Sequence, residues 1–221
     1  MFDGGPYKDE LKRRLASILL IVDASHPAVP AVPDISREAR GLAILLLFAA
    51  YENLLTSLCR GLLEKAASLR VGNRRLKPGI QLFAVYPQLQ AISTLPAHRI
   101  WKDKGRHLVE LMQATRECTV GVDLFPIDGS FMKSTQVHVF CTLFDLGDPG
   151  PILKEVWGRL DTIVTQRNRI AHGAESPEEV GKRYTIQELR TLVQLWEQRW
   201  CEFVDHVERK ASTRDFYRTR R

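Results

Sequence analysis

The stretch from Ser36 to Ala67 constrains this chain more than any other part of it. Between Leu42 and Leu55 it is apolar on nearly every side, and charge returns only at Arg60, Glu64 and Lys65. A helix that is apolar all round has to be enclosed by other elements. Its most continuous run, Leu42 to Ala50, is about half of the ~20 residues a bilayer-spanning helix needs, so it predicts the central helix of a bundle, and no membrane partner is expected. The N-terminal MFDGGPYKDELKRRL places its apolar residues late, with no small-residue cleavage site, and does not read as a secretory signal.

Other helices follow from periodicity. Leu11, Leu15, Ile18, Leu19 and Val22 form one stripe, predicting a first helix from Pro6 or Tyr7 to Asp23. HPAVPAVPD, with three prolines in seven residues, predicts an extended connector. Thr185-Ile-Gln-Glu188 is a capping-box pattern. Ile186, Leu189, Val193, Trp196, Trp200, Phe203 and Val207 then predict a long amphipathic helix ending near Lys210, with the tryptophans in the core or an interface. Upstream, Pro151 suits a first helical turn, and Ile152, Val156, Leu160, Ile163, Arg167 and Ile170 repeat at helical spacing with one charged member.

The middle is less regular. VGNRRLKPG reads as a basic loop. A short helix is expected around Tyr86 to Ser93 and another near Leu108 to Cys118. Residues 119–150 suit either a small hairpin or an irregular insertion with one short helix. The expected fold is therefore all-α: an antiparallel helical bundle in a single domain, 1–221, with an irregular insertion over about 70–148 and a basic tail, 209–221. At 44% hydrophobic content the chain can bury a core without disulfides or metal. Cys59, Cys118, Cys141 and Cys201 are scattered, with no metal or disulfide spacing, which suits small core residues in a reducing cytosol. No cofactor is expected.

The formal charge of +6 suits a polyanionic partner, although modest excess charge of this size is also common on plain soluble enzymes. Arg70, Arg74, Arg75 and Lys77 in the basic loop, with Arg214 and Arg218 in the tail, are candidates to track an RNA backbone, the alternative being a solvated surface. Phe216 and Tyr217 lie among the tail arginines, where aromatics can stack bases. His26, His98, His107, His138 and His206 have no motif-like neighbours and read as surface or core residues.

The stretch TQRNRIAHGAESPEE, residues 165–179, holds the remaining candidates. Asn168 and His172 are four apart and share a helix face. Arg167 flanks that face yet sits in the apolar stripe, where a guanidinium is costly unless paired by a carboxylate, a facing subunit or a phosphate. The simpler reading is a helix end: basic residues meeting the macrodipole, and His172-Gly173 forming a cap. Glu52 either faces solvent or pairs with Arg167 and fixes its orientation.

Arg167, Asn168 and His172, followed by Gly173, a short loop and a long last helix, resemble the Arg-x4-His motif of the HEPN superfamily. The likeness is greatest to its RiboL-PSP-HEPN-like members, including the Tyr51-Glu52-Asn53 segment of the long apolar helix. It covers residues 36–67 and 150–208. The resemblance implies a HEPN-like bundle and a cytoplasmic, metal-independent endoribonuclease. Arg167, Asn168 and His172 would form its site, working on RNA as a homodimer with facing motifs. It further implies a toxin or antiviral-defence role, with an antitoxin or sensor protein as a further partner. Members paired with a nucleotidyltransferase antitoxin carry a tyrosine two residues after the histidine; this chain has Ala174 there, so neutralisation by that route is not expected. The alternative is a catalytically idle module of the same fold that binds nucleic acid, nucleotide or a partner protein.

Overall fold

The all-round apolar stretch is one helix of 33 residues, and the bundle is wrapped on it. The computed structural model describes residues 1–26, 35–126 and 132–219. In chain order the helices are α1 (Gly5–Ala24), α2 (Ser36–Ser68), α3 (Pro78–Ser93), α4 (Ala97–Arg99), α5 (Gly105–Met112), α6 (Ser134–Leu143), α7 (Gly150–Leu153), α8 (Leu160–Ala171), α9 (Pro177–Gly181), α10 (Ile186–Ala211) and α11 (Arg214–Tyr217). Short 3-10 segments fill Asn73–Arg75 and Lys154–Arg159, and Ile100–Lys104 is π-helical. No strand occurs among the described residues; two isolated bridges, Gly72 with Glu117 and Leu76 with Arg218, are their only β pairing. The fold is all-α, as the periodicity indicates. The proline connector falls on 27–34, outside the described residues apart from His26.

Helices α1, α8 and α10 pack on α2, and α9 lies across its N-terminal half. From Leu189 to Val207 every member of the α10 stripe is buried, and its start is fixed by the predicted cap: Thr185 Oγ1 accepts from the Glu188 backbone N–H, while Glu188 reaches back to the Thr185 N–H. Tyr51 joins α2 to α10, its ring stacked on Trp200 and edge-on to Trp196. Such pairs contribute about 0.5–1.5 kcal/mol each beyond the area they bury. Trp196 and Trp200 are thus core.

The α2–α9 contact is backbone on backbone. A Cβ on Gly41 would run into the Pro177 carbonyl, and one on Gly181 into the Arg37 carbonyl. Glycine at both positions is what lets these helices touch.

Three sequence expectations need correction. The stripe from Ile152 to Ile170 is not one helix: Lys154 adopts φ +45°, a 3-10 segment follows, and α8 begins only at Leu160. Val156, Leu160 and Ile163 are nevertheless buried. The helix expected near Leu108 to Cys118 runs earlier, because residues 114–118 pair with the 71–74 loop: the Cys118 N–H donates to the Val71 carbonyl and the Arg74 N–H to that of Ala114. Finally, the helix expected at Tyr86 to Ser93 starts at Pro78. Of the two readings for 119–150, the described residues hold the short helix, α6, and no hairpin.

Candidate active site

The Arg-Asn-x-x-x-His segment is the last turn of α8. Leu160, Ile163 and Val164 bury one side of that helix, and Gln166 follows them inward, where its Oε1 accepts from the Tyr184 hydroxyl at 2.6 Å. This fixes the rotation of α8, leaving Arg167 and Asn168 half-buried and His172 exposed. The helix then ends in a Schellman cap. Gly173 takes φ +70°, its N–H donates to the Ile170 carbonyl, and the Ala174 N–H donates to that of Arg169. His172 is the last residue before the chain turns.

Arg167 has partners that the sequence did not suggest. Its guanidinium lies over the Phe48 ring, 4.5 Å from the centroid, and donates to Asn168 Oδ1 at 2.9 Å. Phe48 itself is buried, edge-on to Tyr51, so the guanidinium covers the outer end of the aromatic core. A cation over a ring face is stabilised there, which offsets part of the cost of placing arginine in the stripe. Expected as its partner, Glu52 lies one turn beyond Phe48 and is half-buried. Arginine and histidine five apart point about 140° apart on an ideal helix, at about 100° per residue. The bond to Asn168 draws the guanidinium back toward the Asn168–His172 face.

The loop after the motif is clamped by Glu175. Its Oε1 accepts from Arg169 at 2.5 Å and from Arg183 at 2.8 Å. Hydrogen bonding from Arg183, then the charges of Arg169 and Arg183, hold this carboxyl below the usual glutamate range. Next, Ser176 caps α9 in a reciprocal box with Glu179, and α9 docks through Gly181 onto α2. The motif is therefore held on both sides. Glu175 and Phe48 were missed in the sequence; an acid just past a basic helix end was the only hint of the first.

The two basic segments are brought together. The Lys77 N–H donates to the Tyr217 carbonyl and the Thr219 N–H to that of Arg75, so the tail folds onto the loop after α2. Arg70, Arg74 and Arg214 are exposed; Arg75, Lys77 and Arg218 are half-buried, Lys77 lying 3.6 Å from Asp145. Phe216 and Tyr217, considered for base stacking, are buried at the root of this patch and are unavailable for it. The patch and the motif are apart: Phe48 and Leu69 are separated along α2 by about 30 Å at ~1.5 Å per residue.

Burial raises the Cys59 and Cys141 thiols to about 12, as inert core residues. His26 and His206 are tied to the carbonyls of Val22 and Leu146. Comparison with known proteins gives no matching family model, no matching curated protein and no matching solved structure.

Proposed function

We propose that this chain is a metal-independent endoribonuclease working through Arg167, Asn168 and His172. The observation that carries the reading is the seating of Arg167 on Phe48 and Asn168 beside an exposed His172, at a helix end clamped from both sides. RNA supplies its own nucleophile. An imidazole removes the ribose 2′-OH proton, and the 2′-oxygen attacks the adjacent phosphorus. The bond from phosphorus to the 5′-oxygen breaks, and that oxygen takes a proton from an imidazolium. The products are a 2′,3′-cyclic phosphate and a 5′-OH. Histidine suits both transfers near neutral pH. Arg167 would hold the phosphate with its outward-facing N–H groups and stabilise the charge that builds on it.

One protomer supplies one imidazole at the motif, whereas the reaction uses a base and an acid. This favours a homodimer with facing motifs. Leu42 and Leu46 are exposed on α2, 43% and 39%, on a stripe about 120–160° around that helix from Phe48. That exposed apolar stripe is suited to burial against a second copy. The basic patch would hold the RNA backbone at a distance from the cut. A toxin or antiviral-defence role in the cytoplasm, with an antitoxin or sensor protein restraining it, is the biological setting such an activity fits.

The test is incubation with total RNA in EDTA, wild type against His172→Ala and Arg167→Ala. Cleavage by the wild type alone, with ends that carry cyclic phosphate, supports the reading. Equal cleavage by His172→Ala overturns it. RNA binding without cleavage by any of the three would mark the idle binding module instead.

A further inference from the structure

Residues 97–112 form a helical arm, α4, the π-helical Ile100–Lys104 and α5, and α5 has no buried residue at all. Its apolar side chains are nevertheless ordered. Trp101 is 90% exposed, and Val109, Ile100 and Met112 are exposed as well. On a regular helix these four would not line up. Trp101 and Val109 are eight apart and would diverge by about 80°. The π segment absorbs one extra residue, so the pair behaves as seven apart and diverges by about 20°. Ile100 and Met112 become effectively eleven apart and align likewise. Ile100 and Trp101 stay about 100° apart as neighbours, so the bulge gathers the two pairs into one exposed apolar face about 100° wide, and the half-buried Leu108 and Leu111 continue it on the Ile100 side.

Cations border that face. His98, Arg99, Lys102, Lys104, Arg106 and His107 are all exposed, against two acids in the same stretch of sequence. The arm's root is anchored beside the basic patch. There Asn73 Nδ2 donates to the Leu111 carbonyl, Gln81 Nε2 to that of Met112, and the Arg74 N–H to that of Ala114. A positive surface therefore continues from arm to patch.

We propose that this arm docks in the interfacial layer of an anionic membrane. A helix with tryptophan and aliphatic residues on one side and lysine and arginine on the other has the composition that lies in the headgroup plane. The charge selects the occupant. A second copy would bring one cationic arm against another. Nucleic acid would use the cations and Trp101, but would leave the isoleucine, valine and methionine without a partner. Negatively charged phospholipid satisfies both parts of the surface. The sequence offered no bilayer-spanning segment outside the core helix, and none is needed for this contact, which lies on the surface. It is independent of the nuclease reading.

The test uses the full chain and vesicles of phosphatidylcholine alone or with roughly 30% phosphatidylserine, in about 0.1 M salt. Flotation with the anionic vesicles only, with a blue shift of tryptophan emission, is expected. Trp196 and Trp200 are already buried and Trp157 is half-buried, so the part of the shift that Trp101→Ser removes reports on Trp101. Each basic side chain removed should weaken binding roughly fivefold. Lys102→Glu with Lys104→Glu should therefore lose about 25-fold or more, and Trp101→Ser with Val109→Ser should lose the spectral shift. All four positions are exposed, and an unchanged Tm checks that both variants fold. No flotation by the wild type, or equal flotation by both variants, overturns the proposal. So does a Trp101 signal that responds to single-stranded RNA and not to vesicles.

Discussion

Replacing Phe48 by leucine tests how an arginine can sit in the apolar stripe of α8. The ring is 1% exposed and the guanidinium carbon is 4.5 Å from its centroid, well inside the ~6 Å range of a cation–π contact. Exposed contacts of this kind contribute about 0.5–1 kcal/mol and desolvated ones about 2. With one partner buried and the other half-buried, about 1–1.5 kcal/mol is expected here. Leucine fills only part of the ring's volume, adding about 1 kcal/mol of lost packing. The total, about 2–2.5 kcal/mol, should lower Tm by about 5–8 °C in a chain of this size. Packing and cation contact are separated by a double-mutant cycle with Arg167→Met, read from urea unfolding midpoints. A coupling of about 1 kcal/mol is expected. Coupling below about 0.3 kcal/mol, the ordinary scatter of independent sites, would refute the claim that Phe48 seats the guanidinium.

The other predictions concern what holds the motif in place. Gly181→Ala drives a methyl into the rigid Arg37 carbonyl and should cost about 2–3 kcal/mol, with an unchanged Tm counting against the close α2–α9 contact. Gly173→Ala meets no neighbouring atom, so only its φ of +70° opposes it; a loss of about 1 kcal/mol is expected, with Gly173→Asn recovering much of it. Glu175 has a depressed folded pKa, caused first by hydrogen bonding from Arg183, so its stabilisation is full above the unfolded value of about 4.3 and is lost as pH falls through the folded one. Glu175→Gln should accordingly be less stable than wild type at pH ~7 and converge with it below pH ~4. Parallel urea midpoints across that range would show the clamp contributes nothing.

What could be read from the sequence was whatever is encoded locally. The apolar circumference of α2 and the Thr185–Glu188 box of α10 each depend on residues a few positions apart, and both are where periodicity puts them. The helix end at Gly173 was legible for the same reason. Arg167's seat was not, because Phe48 reaches it from another helix, and nothing near position 167 specifies an aromatic partner. The Gly41–Gly181 contact is invisible in the same way, since each glycine is explained only by the backbone of the other helix. The middle of the chain resisted for a different reason. Its helices are short and half-exposed, and the π segment shifts the period partway along 97–112, so a regular template fits neither half of that arm.

Helix α2 also divides what the sequence had grouped as one RNA-binding function. Its N-terminal half carries Phe48 and the close contact with α9, and so positions the motif. Its C-terminal end leads into the loop onto which the tail folds. A continuous helix between them is a stiff spacer of about 30 Å. That is about nine nucleotide steps at the ~3.4 Å per step of a helical strand. On the proposed nuclease reading, an RNA short enough to occupy only the motif would not reach the patch, and the patch would act only on longer strands. On that reading its charge would raise encounter rates and retain long polyanions, an effect that weakens with salt.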